Sequence, residues 1–234
     1  MIAHKPELPE ISGEDFSIVL IGDFNPKIYQ PSWFASQGFM RESEAESANV
    51  EMIHADFTSF STDWFVMQVA REKFTLKVNS SAYSSHLRDL VLGTFYKLSH
   101  TPLSQMGVNY GTRLRFKTAL DWHCFGHFLV PKSPFTGILV NPGMRAFAVE
   151  GMRPDAIPGF IVIMADPVPN APNEAMLRVN DHCQRPSVGK SEGAEFFLNV
   201  IERNYDIFMN RSEKLINELI KKYASQTSFD DGKP

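Results

Sequence analysis

The alternation of apolar and polar residues is clearest between residues 64 and 79. Phe74, Leu76 and Val78 alternate with polar neighbours, and the polar run Arg71-Glu72-Lys73 separates them from an apolar run that precedes it. A period of two residues is typical of strands that bury one face and expose the other. This stretch therefore predicts a β-hairpin.

The strongest helical pattern follows this hairpin. Its apolar stripe consists of Leu87, Leu90, Val91, Thr94, Phe95 and Leu98. Spacings of three and four residues place these side chains on one side of a helix. Ser81 is suited to cap the start of the helix, and Pro102 prevents its continuation.

Short apolar or alternating runs predict further strands along the chain. These are Phe16 to Gly22, Asn49 to Phe57, Leu103 to Phe116, Met144 to Glu150, Gly159 to Ala165 and Ala175 to Asn180. Further helices are predicted over Gln30 to Gly38, over Thr118 to Leu129 and from Glu192 onward. The last helix is expected to project or break at the polar run Asn210-Arg211-Ser212.

The strand Leu103 to Phe116 lies near the middle of the chain and is expected at the centre of the sheet. Gly107 and Gly111 fall on the same face of it, on both sides of Asn109. Glycines in a strand often mark a close approach by another part of the molecule. We expect a helix to pack against this face.

The elements repeat in a similar order in two halves, residues 15–102 and 103–224. Each half reads as a strand, a short helix, further strands and a long helix, so each provides a sheet with one apolar face and a helix to cover it. The fold class expected is α+β, with an antiparallel sheet built from two similar halves and the long helices on one face. Residues 1–14 are expected to be an irregular lead-in and residues 225–234 a disordered tail, within one compact domain. The repeat indicates an internal duplication.

Parts of the chain resemble a known group of proteins. The run IVLIGDFNPKIYQPSWFASQGFM (Ile18 to Met40), the strand DWFVMQV and a helix leading into MGVNYGTRL resemble a sporadically distributed family of uncharacterised bacterial proteins. The family's most recognisable feature, Gly-x-x-Tyr after a helix, is matched by Gly107-Val108-Asn109-Tyr110. The resemblance covers the first half and the central strand. It implies a cytoplasmic bacterial protein and supplies no catalytic residues.

Composition and charge limit the function. The chain of 234 residues is 43% hydrophobic and has a formal net charge of −4, which argues against a protein whose main task is to bind nucleic-acid phosphates. The N-terminus lacks the apolar core of a signal peptide, and no apolar run is long enough to cross a membrane. A cytoplasmic protein with no membrane partner is therefore expected. Cys124 and Cys183 are expected to be reduced, partly buried thiols.

A candidate metal site lies in the segment Asp121 to His127. His123 and His127 are four residues apart and therefore lie on one face of the predicted helix, a spacing that zinc or another divalent ion uses. Asp121 would be the orienting carboxylate, and a further ligand would come from Asp181, His182 or Cys183. The alternative is that the histidines bond to nearby carbonyl groups and that the protein has no cofactor.

Two other patterns are relevant to binding. Arg113, Arg115 and Lys117 recur with a period of two and form a basic stripe that would contact an acidic partner or single-stranded nucleic acid; the alternative is a solvated strand face. The run Gly189-Lys190-Ser191 is similar to the end of a phosphate-binding loop, but the preceding glycine of that motif is missing. A capped helix start is the interpretation favoured there.

No set of residues typical of a catalytic centre stands out in the sequence, so a protein without catalytic activity is favoured. The function expected is that of a cytoplasmic binding or assembly protein whose sheet engages a protein partner, with homodimerisation through the last helix as one form. The alternatives are a metal-dependent enzyme centred on His123 and His127, and a nucleic-acid-binding protein that uses the basic stripe.

Overall fold

The computed structural model describes residues 7–186 and 193–226 of the chain. Among these residues, nine strands form one sheet. The strands are β1 (Glu10–Gly22), β2 (Asn49–Ile53), β3 (Phe57–Ser61), β4 (Val66–Ala70), β5 (Lys73–Val78), β6 (Leu103–Arg115), β7 (Phe147–Met152), β8 (Gly159–Pro167) and β9 (Glu174–Gln184). The α-helices are α1 (Pro31–Ser36), α2 (Glu42–Ser47), α3 (Ser84–Lys97), α4 (Ala119–Leu129) and α5 (Glu195–Ala224).

The two strongest local patterns form the predicted elements. The hairpin consists of β4 and β5, and Ala70 pairs with Lys73 at its turn. Phe74, Leu76 and Val78 are buried, because the pleat of β5 turns alternate side chains toward the core. α3 buries its predicted stripe from Leu87 to Phe95 against β1 and β5.

The sheet is antiparallel throughout, in the order β2-β3-β4-β5-β1-β6-β9-β8-β7. β6 lies beside β1 in the interior of this order, so the predicted central position of residues 103–116 is confirmed. Ile18 pairs with Val108, and Leu20 pairs with Met106. This pairing joins the two halves of the chain into one sheet.

The two long helices lie on the same face of the sheet. α3 contacts β1 and β5, α5 contacts β6 and β9, and the two helices contact each other. The strand residues beneath them, such as Ile18, Leu76, Val108 and Val179, are buried. The predicted α+β class with long helices on one face is therefore confirmed.

We call the opposite side of the sheet the open face. Strand register assigns to it Ser17, Val19, Gly107, Asn109, Gly111, Val162, Arg178 and Asn180. Several of these side chains are half-buried, because each is flanked on the sheet by the side chains of neighbouring strands.

The first half of the chain differs from its prediction in two places. β1 begins at Glu10, inside the stretch expected to be an irregular lead-in, because residues 10–14 pair with the distant end of β6. The segment expected to be a single strand over residues 49–57 is the edge strand β2, followed by a turn and by β3. β3 contains Thr58 and Ser59, which are buried although polar, and the Thr58 hydroxyl donates to the Pro26 carbonyl (2.8 Å).

The last helix neither breaks nor projects at residues 210–212. α5 continues through them as one helix, and Ser212 is buried. Ile216, Ile220 and Tyr223 are buried beyond this point, and the Tyr223 hydroxyl donates to the Asp121 carbonyl (2.8 Å). The apolar side of α5 is thus occupied within the molecule, and dimerisation through this helix stays a prediction.

The predicted duplication is not confirmed by the arrangement of elements. In the described residues the first half has four strands after β1, whereas the second half has three after β6. The halves share the long helix and the central position of their first strand. A common ancestry of the halves stays a prediction.

The glycines of β6 have a different role from the one expected. Gly107 and Gly111 lie on the open face, opposite α3 and α5, so neither of these long helices packs on them. A Cβ atom at Gly107 would lie 2.8 Å from Asn180 Oδ1, and one at Gly111 would lie 2.3 Å from Asp15 Oδ1. The glycines leave room for side chains of the adjacent strands.

Several expectations concern residues outside the described part. The run Gly189-Lys190-Ser191 lies outside it, as does most of the expected tail, from residue 227 onward. None of the helices in residues 7–186 and 193–226 combines the length and the apolar character needed to cross a bilayer.

Substitution of Gly159 by alanine is expected to lower the free energy of unfolding by ~2–4 kcal/mol. Gly159 begins β8 with φ +144°, and a Cβ atom there would lie 2.0 Å from the His182 carbonyl oxygen. Gly151→Ala on the paired strand β7 is the control, because nothing lies within 4 Å of its added Cβ. Urea denaturation of both variants measures the difference, and equal small effects would contradict the pairing at the start of β8.

Candidate functional site

Asp121 is held at the start of α4 by capping interactions. The Thr118 hydroxyl accepts a hydrogen bond from the Asp121 backbone N–H (3.1 Å) and donates to Asp121 Oδ2 (2.5 Å). The Glu7 backbone N–H donates to Asp121 Oδ1 (3.4 Å), and the residue is 2% exposed. These contacts use the carboxylate to stabilise the helix N-terminus, as acidic residues commonly do there.

His123 and His127 lie on α4 as predicted, but the structure does not bring the proposed further ligands to them. Asp181 and Cys183 lie on β9, where both contact Arg153. Within the described part of the chain, no group of three or more His, Cys, Asp or Glu side chains is arranged to hold a metal ion. The metal-dependent enzyme therefore has no assembled ligand set in this part.

The histidines of α4 line a small pocket of about 80 Å³. Its walls come from α4, from the segment after residue 131 and from the facing ends of β8 and β9. The lining residues are Trp122, His123, Phe125, Gly126, His127, Lys132, Pro142, Gly143, Met144, Pro167 and Ala175. This pocket, which we call the α4 pocket, is one concave candidate site in the described part of the chain.

Lys132 is the buried cation of this pocket. It is 8% exposed, and its Nζ donates to the Gly126 carbonyl (3.0 Å) and to the Val130 carbonyl. These carbonyls belong to the end of α4, where a cation interacts favourably with the helix dipole. Burial lowers the pKa of Lys132, because removal from water disfavours the charged form.

The predicted basic stripe is paired within the molecule. Arg113 Nε and Arg115 Nε donate to the two carboxylate oxygens of Glu174, and Lys117 Nζ lies 3.2 Å from Glu7 Oε2. Hydrogen bonds from Arg115 and Arg113 lower the pKa of Glu174 against the opposing effect of burial. The three cations therefore do not form an unpaired positive surface.

The open face shows the same local charge pairing. Lys77 Nζ lies 2.9 Å from Asp15 Oδ2, and Arg178 Nη1 lies 2.5 Å from Asp166 Oδ1. Between these pairs lie uncharged side chains, including the cross-strand pair Asn109 and Asn180. The face is consequently nearly neutral and mixed in polarity.

A buried charge network, which sequence reasoning missed, joins the β7–β8 connection to β9 and α5. Arg153 donates from Nε and Nη2 to the two oxygens of Asp155 (2.9 Å each) and from Nη1 to Asp181. Arg211 of α5 contacts the same two carboxylates, at 2.8 Å from Asp181 and 2.7 Å from Asp155. Both guanidinium groups also lie over the Phe208 ring, at 4.7 and 5.1 Å from its centroid.

The sequence contains a signal for this network. Asp181 shares the buried face of β9 with Val179 and Cys183, and Arg211 follows Phe208 at helical spacing. A charged residue on an otherwise apolar face indicates a buried ion pair. The pattern does not identify Arg153 as the partner, because that contact depends on the tertiary fold.

The network controls the protonation of its members. Burial raises the pKa of Asp155, but the hydrogen bonds from Arg153 and Arg211 outweigh it and lower the pKa to about 2. Asp181 is buried more deeply, and burial raises its pKa against the effect of the same two arginines. Burial also raises the pKa of the Cys183 thiol to about 12, so this thiol is protonated and unsuited to nucleophilic chemistry.

The predicted state of the cysteines is confirmed, since Cys124 and Cys183 are both buried and form no disulfide within the described residues.

Asp181→Ala is expected to lower the free energy of unfolding by ~3–5 kcal/mol, because it leaves Asp155 as the one carboxylate of the network for the buried Arg153 and the partly buried Arg211. Lys214→Ala is the matched control: Lys214 lies 3.9 Å from Glu218 in an exposed pair, and its loss should change stability by less than ~0.5 kcal/mol. Thermal and urea denaturation compare the variants. Similar losses in both would contradict a structural role for the network.

Asp155 is expected to make the free energy of unfolding depend on pH in the acidic range. Its pKa falls from 3.8 to about 2 on folding, so it stabilises the native state above its unfolded pKa, and this contribution of ~1–2 kcal/mol disappears as the pH falls through about 2. Asp155→Asn should therefore flatten the loss of stability between about pH 4 and pH 2. Urea denaturation at several pH values measures this, and parallel curves for both proteins would contradict it.

Comparison with known proteins does not supply a function. No family model matches the chain, and no curated protein matches it. The resemblance of the first half to uncharacterised bacterial proteins is not tested by these comparisons and stays a prediction.

Proposed function

We propose that this chain is a non-enzymatic binding and assembly protein of the bacterial cytoplasm, and that the open face engages a protein partner. The observation that carries this proposal is the one-sided covering of the sheet. α3 and α5 both pack on the same face of β1, β5, β6 and β9. In the described part of the chain, neither long helix covers the other face, and this broad sheet surface is the one that we assign to a partner.

Charge favours a protein over a nucleic acid as the occupant. A nucleic acid requires unpaired cations that displace its counterions, whereas Arg113, Arg115 and Arg178 are each held by a carboxylate of the same molecule. A nearly neutral face is complementary to an equally neutral protein surface. The same pairing of cations with carboxylates argues against nucleic-acid binding by the basic stripe.

The composition of the open face suits a reversible protein interface. Val19, Val162 and Met164 are half-buried apolar residues of this face, and Asn109 and Asn180 lie between them. Such interfaces are about as apolar as ordinary protein surface and contain hydrogen-bonding groups. The expected partner therefore presents apolar and amide or hydroxyl groups with few charges.

A photo-cross-linking amino acid tests this assignment in living cells. Placed at Val162 on the open face, it should give a nuclease-resistant adduct with one defined protein, identified by mass spectrometry. Placed at Ile207, an α5 residue that is 55% exposed, it should give none. An adduct of twice the chain mass would identify a second copy as the partner.

The partner so identified is then purified and titrated with the wild-type protein. Asn180→Arg should weaken its binding by roughly tenfold or more, because it inserts an unpaired charge into the interface, and Ile207→Arg should leave binding unchanged. An adduct only at Ile207, a nuclease-sensitive adduct, or no adduct at either position would overturn the proposal.

A further inference from the structure

The α4 pocket has apolar walls. Trp122 and Phe125 come from α4, Pro142 and Met144 from the following segment, and Ala175 from the start of β9. Trp122 is fixed in place by a hydrogen bond from its Nε1 to the Glu174 carbonyl (3.2 Å). A pocket with apolar walls and a few polar groups is the usual form of a small-molecule site.

Among the described residues, the ionisable side chains that line the pocket are all of basic types. His123, His127 and Lys132 line it, and no acidic residue does so among the described lining residues. The acids next to two other lining residues are occupied elsewhere: Glu174, before Ala175, binds Arg113 and Arg115, and Asp166, before Pro167, binds Arg178. The pocket therefore favours a ligand with negative charge.

Lys132 is the group suited to hold that charge. An ammonium group has three donors, and two of them are used by the Gly126 and Val130 carbonyls. The remaining donor belongs to a nitrogen that is largely removed from water, where a charged partner contributes more than it does at an exposed site. The lowered pKa of Lys132 agrees with a cation that gains from a bound anion.

We infer that the α4 pocket binds a short-chain aliphatic carboxylate, with Lys132 as the anchor for the carboxylate and the Trp122, Phe125 and Met144 side chains around the aliphatic tail. The volume of about 80 Å³ holds roughly five to eight water-sized groups, which limits the ligand to a few carbon atoms. An inorganic phosphate would leave the apolar walls without a partner. This site is separate from the open face and does not depend on the proposed partner.

Butyrate and its uncharged counterpart butyramide are the probes. Titration of the full-length ¹⁵N-labelled protein with each is followed by NMR, with the indole N–H of Trp122 as the reporter. Butyrate should shift this signal with a millimolar dissociation constant, and butyramide should bind roughly tenfold more weakly, because it lacks the charge that Lys132 recognises. Inorganic phosphate should not shift it.

Two variants test the location of the site. Lys132→Met should remove the preference for butyrate over butyramide, and Ala175→Leu should block both ligands by filling the pocket. Lys214→Met, at an exposed lysine of α5, is the control and should bind as the wild type does. Because the comparison of the two ligands uses the unaltered protein, the inference remains testable even if Lys132→Met fails to fold.

Equal binding of butyrate and butyramide would overturn the role of Lys132. Absence of binding by either ligand up to ~50 mM, far above a millimolar dissociation constant, would overturn the site itself. Shifts confined to residues outside the pocket would do so as well.

Discussion

The pairing of β1 with β6 is the constraint on which the rest of the structure depends. It runs along most of both strands and joins residues about ninety positions apart, such as Ile18 and Val108. Because register fixes which face each side chain occupies, this pairing aligns the apolar faces of both halves. α3 and α5 then pack side by side on one continuous apolar surface.

The same alignment defines the open face. Polar side chains that do not point toward the helices must find hydrogen-bond or ion-pair partners on neighbouring strands or in the solvent. Lys77 pairs with Asp15 in this way, and Arg178 pairs with Asp166. Gly107 and Gly111 accommodate the side chains of adjacent strands on this face. The resulting surface is nearly neutral, which supports the proposal of a protein partner.

The buried charge network fixes the position of α5 relative to the second half of the sheet. Arg211 contributes from the helix, Asp181 from β9 and Arg153 with Asp155 from the β7–β8 connection. Buried ion pairs add little net stability when compared with well-packed apolar groups, but an unpaired member is costly. The network therefore disfavours other registers of α5, each of which would leave charges buried without partners.

Periodicity alone determined the elements whose burial is one-sided and regular. The hairpin β4–β5, the helix α3 and the central strand β6 follow from spacings of two, three and four residues, because local geometry assigns such residues to one face. β3 was not predicted because Thr58 and Ser59 are polar but buried. Their hydroxyl groups donate to the Pro26 carbonyl and to Glu51 Oε2, which the fold brings to them. The pairing of Arg113 and Arg115 with Glu174 and the contact of Arg153 with Asp181 were decided by the tertiary structure. Each of these contacts depends on which distant segments the fold brings together. The spacing of residues along the chain does not indicate which distant segments meet.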